Sequence, residues 1–547
     1  MREIDRLTVE RYAIPAPLLM EAAANATLNC ISARFAEGLR GKRALVLCGR
    51  GNNGGDGAAL ARGLARHGVH TDVVLFGRIE ETTGDARANF AAVRRLASFE
   101  AGSNSQPSPL SFVECDSVQS WEAIARPRRT YDIMVDALFG TGLTRPLAGI
   151  HLQVIEHLAL SRRARNRASG VRPLILSIDI PSGLNADLST PIGAAVEADL
   201  SVTFTAPKPA NVLPPACHSG GELVVANIGS PVSLLEATNS QLFVTEADDA
   251  RRWLVSTRYT PESYKNSHGH VLVIAGSRGY TGAAALCGNA SIRSGAGLVT
   301  VATPASAESS VAVHSLPEVM TMALAETDRG AVSDAAIDHV LQLADKATVL
   351  ALGPGLTSED ERTRRFVRSV VERRTKPVVL DADGLNCLAP WPADLRGSQD
   401  APLILTPHPG EMMRLLGANR SALADRVLAI REFATRNGVI LLLKGSRSLI
   451  AAPDGRVFIN PTGNAGLGTA GAGDTLTGLI AGFNAQAFAT LKDQANALEA
   501  TVAALYVGGL AGDLAAREKG MRMMVASDIR EHFSAAIRSL DSEGEMP

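Results

Sequence analysis

The feature that most constrains this chain is a recurring one: short, almost wholly apolar runs, each followed by a segment with helical spacing. Arg43–Cys48 (RALVLC) is the first such run. A strand without apolar/polar alternation has both faces buried, which is the signature of a parallel sheet covered by helices on either side. Strands are predicted at 43–48, 71–76, 131–137, 174–180, 200–205 and 222–226. A second series falls at 270–275, 299–302, 348–352, 377–381, 402–406 and 439–444. A hairpin is predicted from 448–451 to 457–460, turning at Pro453-Asp454-Gly455. Helical periodicity occupies about 9–35, 57–67 and 84–98. Residues 101–109 (AGSNSQPSP) read as a polar loop and 541–547 as a frayed tail.

With 547 residues the chain exceeds one ordinary hydrophobic core. The βα rhythm restarts near 235–245 without a shared motif period, so two different domains are expected, 1–240 and 241–547. The fold class is α/β throughout, the first domain a Rossmann-like three-layer unit. Lys plus Arg number 54 and Asp plus Glu 56, a formal net charge of −2, and aromatics make up only 4%. This balance excludes a basic surface for nucleic acid and a stacking platform for bases, so phosphate recognition has to be local. Six cysteines are scattered without a CxxC pair, which fits neither a disulfide framework nor a zinc site. The N-terminus lacks an apolar leader, and no uncharged run reaches the length of a membrane span. A cytoplasmic protein with no membrane partner is the expectation.

The first apolar strand runs into Gly49-Arg50-Gly51-Asn52-Asn53-Gly54-Gly55-Asp56-Gly57 and then a helix. Glycines between a strand and a helix let backbone amides approach an anion. A tight turn with a capping Asp would explain the glycines but not the added pair of Asn side chains. Neither the Walker pattern nor a spaced GxGxxG is present. Two later strands end in acidic loops, from Asp136 through Gly140, Thr141, Gly142, Leu143, Thr144 and Arg145 to Pro146, and from Ser177 through Asp179 to Ser182. Ligands sit at the carboxyl ends of parallel strands, so these three loops can converge. Asn53, Asp136 and Ser182 offer hard oxygen donors suited to an alkali or alkaline-earth cation. Asp179 is the candidate for proton transfer.

NNGGDG, DALFGTGL and SIDIPSGL, in this order, resemble the N-terminal epimerase domain of bifunctional NAD(P)H-hydrate repair enzymes. The resemblance implies interconversion of the R and S epimers at C6 of a hydrated nicotinamide ring. It implies substrate contacts at Asn52, Asn53, Gly54, Gly55, Asp56, Gly140, Thr141, Gly142, Leu143, Thr144, Arg145, Pro146 and Asp179. It also implies potassium held by Asn53, Asp136 and Ser182. Lys208 fits the family's pattern without an assigned role.

The second half carries a sharper motif, Thr469-Ala470-Gly471-Ala472-Gly473-Asp474-Thr475, leading into an apolar helix. Exposed amides, the positive end of the helix dipole and a carboxylate are the parts a phosphoryl-transfer site uses. Asp474 would accept a hydroxyl proton while the amides stabilise the migrating phosphate. Lys444, followed by Gly445, Ser446, Arg447 and Ser448, puts a cation at a strand end. Gly353-Pro354-Gly355 follows another strand, and His408 and Glu411 lie just beyond a third. His408 reads equally as a hydrogen-bonded structural histidine.

The Gly-Ala-Gly-Asp loop resembles the ribokinase-like superfamily. With LTPHPGE, GPGL, LLKGS, Lys265 and the 279–284 segment (GYTGAA), it resembles the NAD(P)HX dehydratase domain of the same bifunctional family. The resemblance implies nucleotide contacts at Lys444, Gly445, Ser446, Arg447, Ser448 and Gly473, and hydrate contacts at Ala283, Gly355, His408 and Asp474. It implies ADP rather than ATP as phosphoryl donor, with Mg2+, on the substrates NADHX and NADPHX, in a homo-oligomer. Where kinases carry Asn-x-x-Glu this chain has His-x-x-Glu, and Ala472 replaces a Thr common in the family. The alternative is a ribokinase-like vitamin kinase with a non-catalytic N-terminal binding or scaffold domain. It leaves the Asn/Asp loop and His408 unexplained.

Overall fold

A computed structural model describes residues 1–101, 109–125, 130–163 and 172–541, so most of the segment read as a polar loop and the tail beyond Asp541 lie outside the described residues. The chain divides into two compact units, Met1–Asn239 and Ser240–Pro547.

The first unit holds seven strands: β1 (Arg43–Cys48), β2 (His70–Phe76), β3 (Leu110–Cys115), β4 (Ile133–Ala137), β5 (Leu174–Ile178), β6 (Leu200–Phe204) and β7 (Glu222–Ala226). They pair in parallel in the order β3-β2-β1-β4-β5-β6-β7. Strand β1 explains why its sequence is apolar throughout. Ala44, Val46 and Cys48 enter one core against the helices Ala16–Ser32 and Asn52–Arg66, while Leu45 and Leu47 enter a second core with Trp121, Val154 and Leu158. Helices therefore cover both faces, giving three layers. The strand order reverses between β1 and β4, whose ends pair as Cys48 with Ala137, and a crevice opens at their carboxyl ends.

The second unit adds β8 (Leu242–Val244), β9 (His270–Ile274), β10 (Leu298–Pro304), β11 (Met320–Leu324), β12 (Val349–Leu352), β13 (Val378–Leu380), β14 (Leu403–Leu405), β15 (Ile440–Leu443), β16 (Leu449–Ala451) and β17 (Val457–Ile459). Their order is β11-β10-β9-β12-β13-β14-β15-β16-β17-β8, parallel except where β16 pairs antiparallel with β15 and β17. The predicted hairpin is β16–β17. Val271 and Val273 pack under the helices Thr281–Arg293, Ala472–Thr490 and Ala497–Lys519, and Leu272 and Ile274 are buried on the opposite face. The helix Ala497–Lys519 is long and apolar enough to cross a membrane by length and composition, but most of it is buried in this core.

Two readings are corrected. The helical segment predicted at 9–35 is two helices, Arg2–Tyr12 and Ala16–Ser32, because Ala13 turns left-handed (φ 54°) and Pro15 starts the second. Strands β3, β8 and β11 were not predicted. They end or flank the sheets, and Val113, Phe243, Met320 and Met322 are exposed, so their sequences lack the continuous apolar run of a central strand. None of the six cysteines is joined in a disulfide.

Candidate active sites

In the first unit the loop after β1 enters the helix Asn52–Arg66 directly, with Gly51 as its extended N-cap. The turn is tight enough to exclude side chains: a Cβ at Gly54 would stand 1.8 Å from the Gly49 carbonyl oxygen. The loop after β4 crosses the same crevice, and a cavity of about 570 Å³ lies between them. Asn52, Asn53, Asp56, Gly140, Thr141, Gly142, Leu143 and Asp179 line it, together with Arg50, Asp5 and Lys208. Gly54 and Gly55 are buried, and Thr144, Arg145 and Pro146 are exposed outside the lining.

Asp179 follows β5 with its backbone in the left-handed region (φ 66°), a conformation that costs a non-glycine residue about 1 kcal/mol or more. The surroundings hold it there. Its N–H donates to the Val202 carbonyl at 2.7 Å, and Asn211 Nδ2 donates to its carbonyl at 3.1 Å. Its carboxylate Oδ1 accepts from Lys208 Nζ at 2.5 Å and from Thr203 at 3.0 Å. Lys208 is only 6% exposed, so this is a buried ion pair at the cavity wall. Asp56 faces the same space, and burial, with the charges of Asp179 and Asp5 adding to it, pushes its carboxyl well above the usual range. The pair of carboxyls therefore differs in character: one ion-paired, the other favouring its protonated form.

Asp136 is fully buried at the end of β4. Burial pushes its carboxyl up, against hydrogen bonds from Ser182 N at 2.8 Å, Ser182 Oγ at 2.6 Å and Ser177 Oγ at 2.8 Å. Asn53 and Asp179 both come near Gly140: a Cβ there would lie 3.3 Å from Asn53 Oδ1 and from Asp179 Oδ2. Asn53 Nδ2 is buried without a partner. Asp136 and Ser182, linked by hydrogen bonds to each other and through Ser182 to the Phe139 carbonyl, lie outside the cavity lining, whereas Asn53 lines the cavity. Taken together, one carboxylate among neutral oxygens is a low-charge set, chemically suited to a monovalent cation rather than a divalent one.

In the second unit the helix Ala472–Thr490 begins at Gly471, whose φ of 82° provides the left-handed turn that aims the first amides outward. Asp474 lies in its first turn. Burial first, and then the nearby Asp381, raise its carboxyl to about 6, with Lys444 opposing and Asp383 adding to the rise. Lys444, at the end of β15, donates to Asp381 Oδ1 at 2.6 Å and lies 4.0 Å from Glu411. Burial pulls its ammonium down, but Asp381 and Glu411 more than offset this and leave it above its ordinary value. Gly473 is beside the pair: a Cβ there would be 3.5 Å from Lys444 Nζ.

Ala283 and Gly355 meet beyond the carboxyl ends of β9 and β12, where the strand order reverses; a Cβ on Gly355 would be 3.1 Å from Ala283 Cβ. His408 caps the helix Pro409–Leu416, its Nδ1 accepting from Gly410 N, and its Nε2 is 3.5 Å from Glu411. Half of its side chain is exposed, so the capping role leaves one ring face open. Gly445 and Ser448 bond each other across their own turn, and Arg447 donates to the Pro461 carbonyl. Ser446 lies in the same turn, its carbonyl accepting from Arg426 at 3.5 Å. Sequence reading missed Asp381, Thr203 and Thr477. Asp381 carried a usable signal, since it ends a strand as Asp136 and Asp179 do. The two threonines sit inside apolar elements with no motif around them.

Two α/β units on largely parallel sheets, one with a glycine-rich loop at a helix N-terminus beside a paired Asp and Lys, define a fused two-domain α/β enzyme. A family model described as YjeF-related protein N-terminus matches residues 17–210, and one described as NAD(P)H-hydrate dehydratase matches 271–534. The bifunctional NAD(P)H-hydrate repair enzyme Nnr of Moorella thermoacetica is 37% identical over 550 residues, spanning 100% of this chain and 97% of the relative. Its counterpart in Escherichia coli is 32% identical, covering 91% of this chain and 85% of the relative. Among solved structures, the ADP/ATP-dependent NAD(P)H-hydrate dehydratase of Bacillus subtilis co-crystallized with ATP/Mg2+ is 27% identical, covering 56% of this chain and 100% of that one at a TM-score of 0.46. The chain belongs to the family of bifunctional NAD(P)H-hydrate repair enzymes.

Proposed function

We propose that the first unit interconverts the R and S epimers of NADHX and NADPHX, and that the second dehydrates the S epimer to NAD(P)H at the expense of ADP. The observation that carries the reading is Asp474 on a helix N-terminus with Lys444 nearby, in a unit that follows in sequence the one holding the Asp179–Lys208 ion pair. Asp474 takes the proton of the C6 hydroxyl as its oxygen attacks the terminal phosphoryl group of ADP, releasing AMP. The amides around Gly471, Ala472 and Gly473 and the Lys444 ammonium stabilise the transferred charge. Phosphorylation makes the hydroxyl a good leaving group. The ring nitrogen then expels phosphate, and loss of a C5 proton restores the dihydropyridine. Ala283, Gly355 and His408 border the hydrate, and Lys444, Gly445, Ser446, Arg447, Ser448 and Gly473 the nucleotide.

In the first unit Asp179, its carboxylate held in place by Lys208, takes the proton of the C6 hydroxyl as the C6–N1 bond breaks to an open-chain aldehyde, and returns that proton to the ring nitrogen. Re-addition of the nitrogen to either face of the aldehyde, with the proton moved back to oxygen, closes the ring as either epimer. Potassium on Asn53, Asp136 and Ser182 would supply a fixed positive charge beneath the Gly140 loop. Among the described residues no group of three or more His, Cys, Asp or Glu gathers as a metal site, so Mg2+ is expected to enter as a complex with the nucleotide phosphates. Six cysteines outside any disulfide suit a cytoplasmic setting.

The test is recovery of NADH absorbance from a mixed R/S preparation of NADHX with ADP, ATP or neither, plus magnesium and potassium. ADP-dependent recovery of the whole pool, faster than spontaneous epimerisation, is the expected result. No recovery with either nucleotide would overturn it.

A further inference from the structure

Resting on the dehydration reading of the second unit, the inference concerns Asp381, which no motif singled out. Its side chain is 2% exposed at the end of β13, and both carboxylate oxygens are committed. Oδ1 accepts from Lys444 Nζ at 2.6 Å, and Oδ2 accepts from Thr477 Oγ1 at 2.7 Å. Lys444 belongs to the end of β15. Thr477 lies on the helix Ala472–Thr490, three residues beyond Asp474 and so on the same helical face. One carboxylate thus ties two strand ends to the helix that presents the glycine loop. Gly473 lies against this junction; a Cβ there would be 3.6 Å from Asp381 Oδ2.

A buried ion pair is a poor way to gain stability, because desolvation cancels most of the attraction. This one keeps a further capacity. Lys444 has three donors, Asp381 takes one, and the side chain retains 21% exposure. A held lysine that still reaches solvent is suited to meet a phosphate oxygen.

We propose that Asp381 is a positioning residue for the phosphoryl-transfer step: it fixes the Lys444 ammonium and the first turns of the glycine-loop helix together, and sets the charge field in which Asp474 accepts its proton. The groups facing Asp474 are Asp381, Asp383 and Lys444, with Cys287 also within electrostatic reach. Those facing Lys444 are Asp381, Glu411 and Asp474, with His408 behind Glu411. Removing the Asp381 charge lowers the affinity of Asp474 for its proton and deprives Lys444 of its closest counter-charge.

The experiment compares pH profiles of ADP-dependent dehydration for the full chain, Asp381→Asn, Asp381→Glu and Thr477→Val, with Asp474→Asn as control. Asp381→Asn is expected to move both limbs of the kcat profile to lower pH, by about half a unit to one unit, and to raise KM for ADP about tenfold. Asp381→Glu keeps the charge but misplaces it, so the acid limb stays at the wild-type position while KM for ADP rises. Thr477→Val leaves both limbs unmoved and raises KM only about two- to threefold. The melting transition of the second unit in the same samples serves as the folding control, and epimerisation by the first unit normalises for the amount of chain. Superimposable profiles and an unchanged KM for Asp381→Asn overturn the proposal. If that variant does not fold, an unchanged KM in Asp381→Glu does so. Absence of ADP-dependent dehydration in wild type would instead overturn the dehydration reading itself, and a fully active Asp474→Asn would remove Asp474 from the proton-accepting role.

Discussion

Replacing Asp474 by Asn separates what this carboxylate does for the reaction from what it costs the fold. Burial and Asp381 lift it from an ordinary 3.8 to about 6, which corresponds to about 3 kcal/mol of destabilisation of the native state once the group is ionised. The direction follows from linkage. The folded chain holds this proton more tightly than the unfolded one, so its contribution to stability is fully present below about pH 4 and is lost as pH rises through about 6. The Asn variant carries no such cost. It is expected to be more stable than wild type at pH 8 by about 1–3 kcal/mol, the lower figure allowing for solvent reaching the carboxylate, and by about half as much at pH 5. Dehydration by the same variant should fall by about two to four orders of magnitude, and epimerisation should persist. Urea unfolding of the second unit at the two pH values, alongside both activity assays, measures all of this. A variant less stable than wild type at pH 8, or a gain that does not change with pH, would refute the reasoning from burial.

Asp179→Asn is expected to abolish epimerisation while leaving ADP-dependent dehydration of the S epimer intact; unchanged exchange of the epimers would remove Asp179 from the proton-transfer role. Gly54→Ala sets a Cβ 1.8 Å from a backbone oxygen, so the first unit should lose at least about 2 kcal/mol and its epimerase activity, while the second unit's melting transition stays put. Potassium in place of lithium should raise the melting temperature of the first unit with a saturating dependence on concentration, and alanine at Asn53 should flatten that dependence. A melting temperature indifferent to the cation would exclude the site. In wild type, kcat for dehydration should rise through about pH 6 and drop roughly tenfold at pH 5 relative to its plateau; a flat profile between about pH 5 and 7 would remove Asp474 as the proton acceptor.

The central strands were legible because burial on both faces writes itself into composition: Arg43–Cys48, Val349–Leu352 and Ile440–Leu443 contain almost nothing polar. The edge strands Leu110–Cys115 and Met320–Leu324 were not, since one open side relaxes that demand. The same contrast runs through the sites. Glycine loops such as Gly49–Gly57 and Gly471–Gly473 announce themselves, because backbone oxygens leave no room for a Cβ at Gly49 and Gly54 and because Gly471 takes a left-handed φ of 82°. Helix 9–35 failed as one element because an αL Ala before a proline carries little signal in spacing alone.

By itself the sequence determined the layered α/β architecture, the division near residue 240 and the strand-end loops, and it singled out Asp179 and Asp474 as candidate carboxylates. Each follows from local periodicity, chain stereochemistry or a motif. Only the tertiary structure decided the partnerships. Lys208 meets Asp179 across 29 residues, and Lys444 meets Asp381 across 63. Thr477 reaches the same carboxylate from 96 residues away. Strand order brings those ends together, and strand order depends on which apolar faces find each other in the folded chain, information that no local window contains. The charge state of Asp474 is decided in the same way, by burial and by a neighbour that the chain supplies from a different strand.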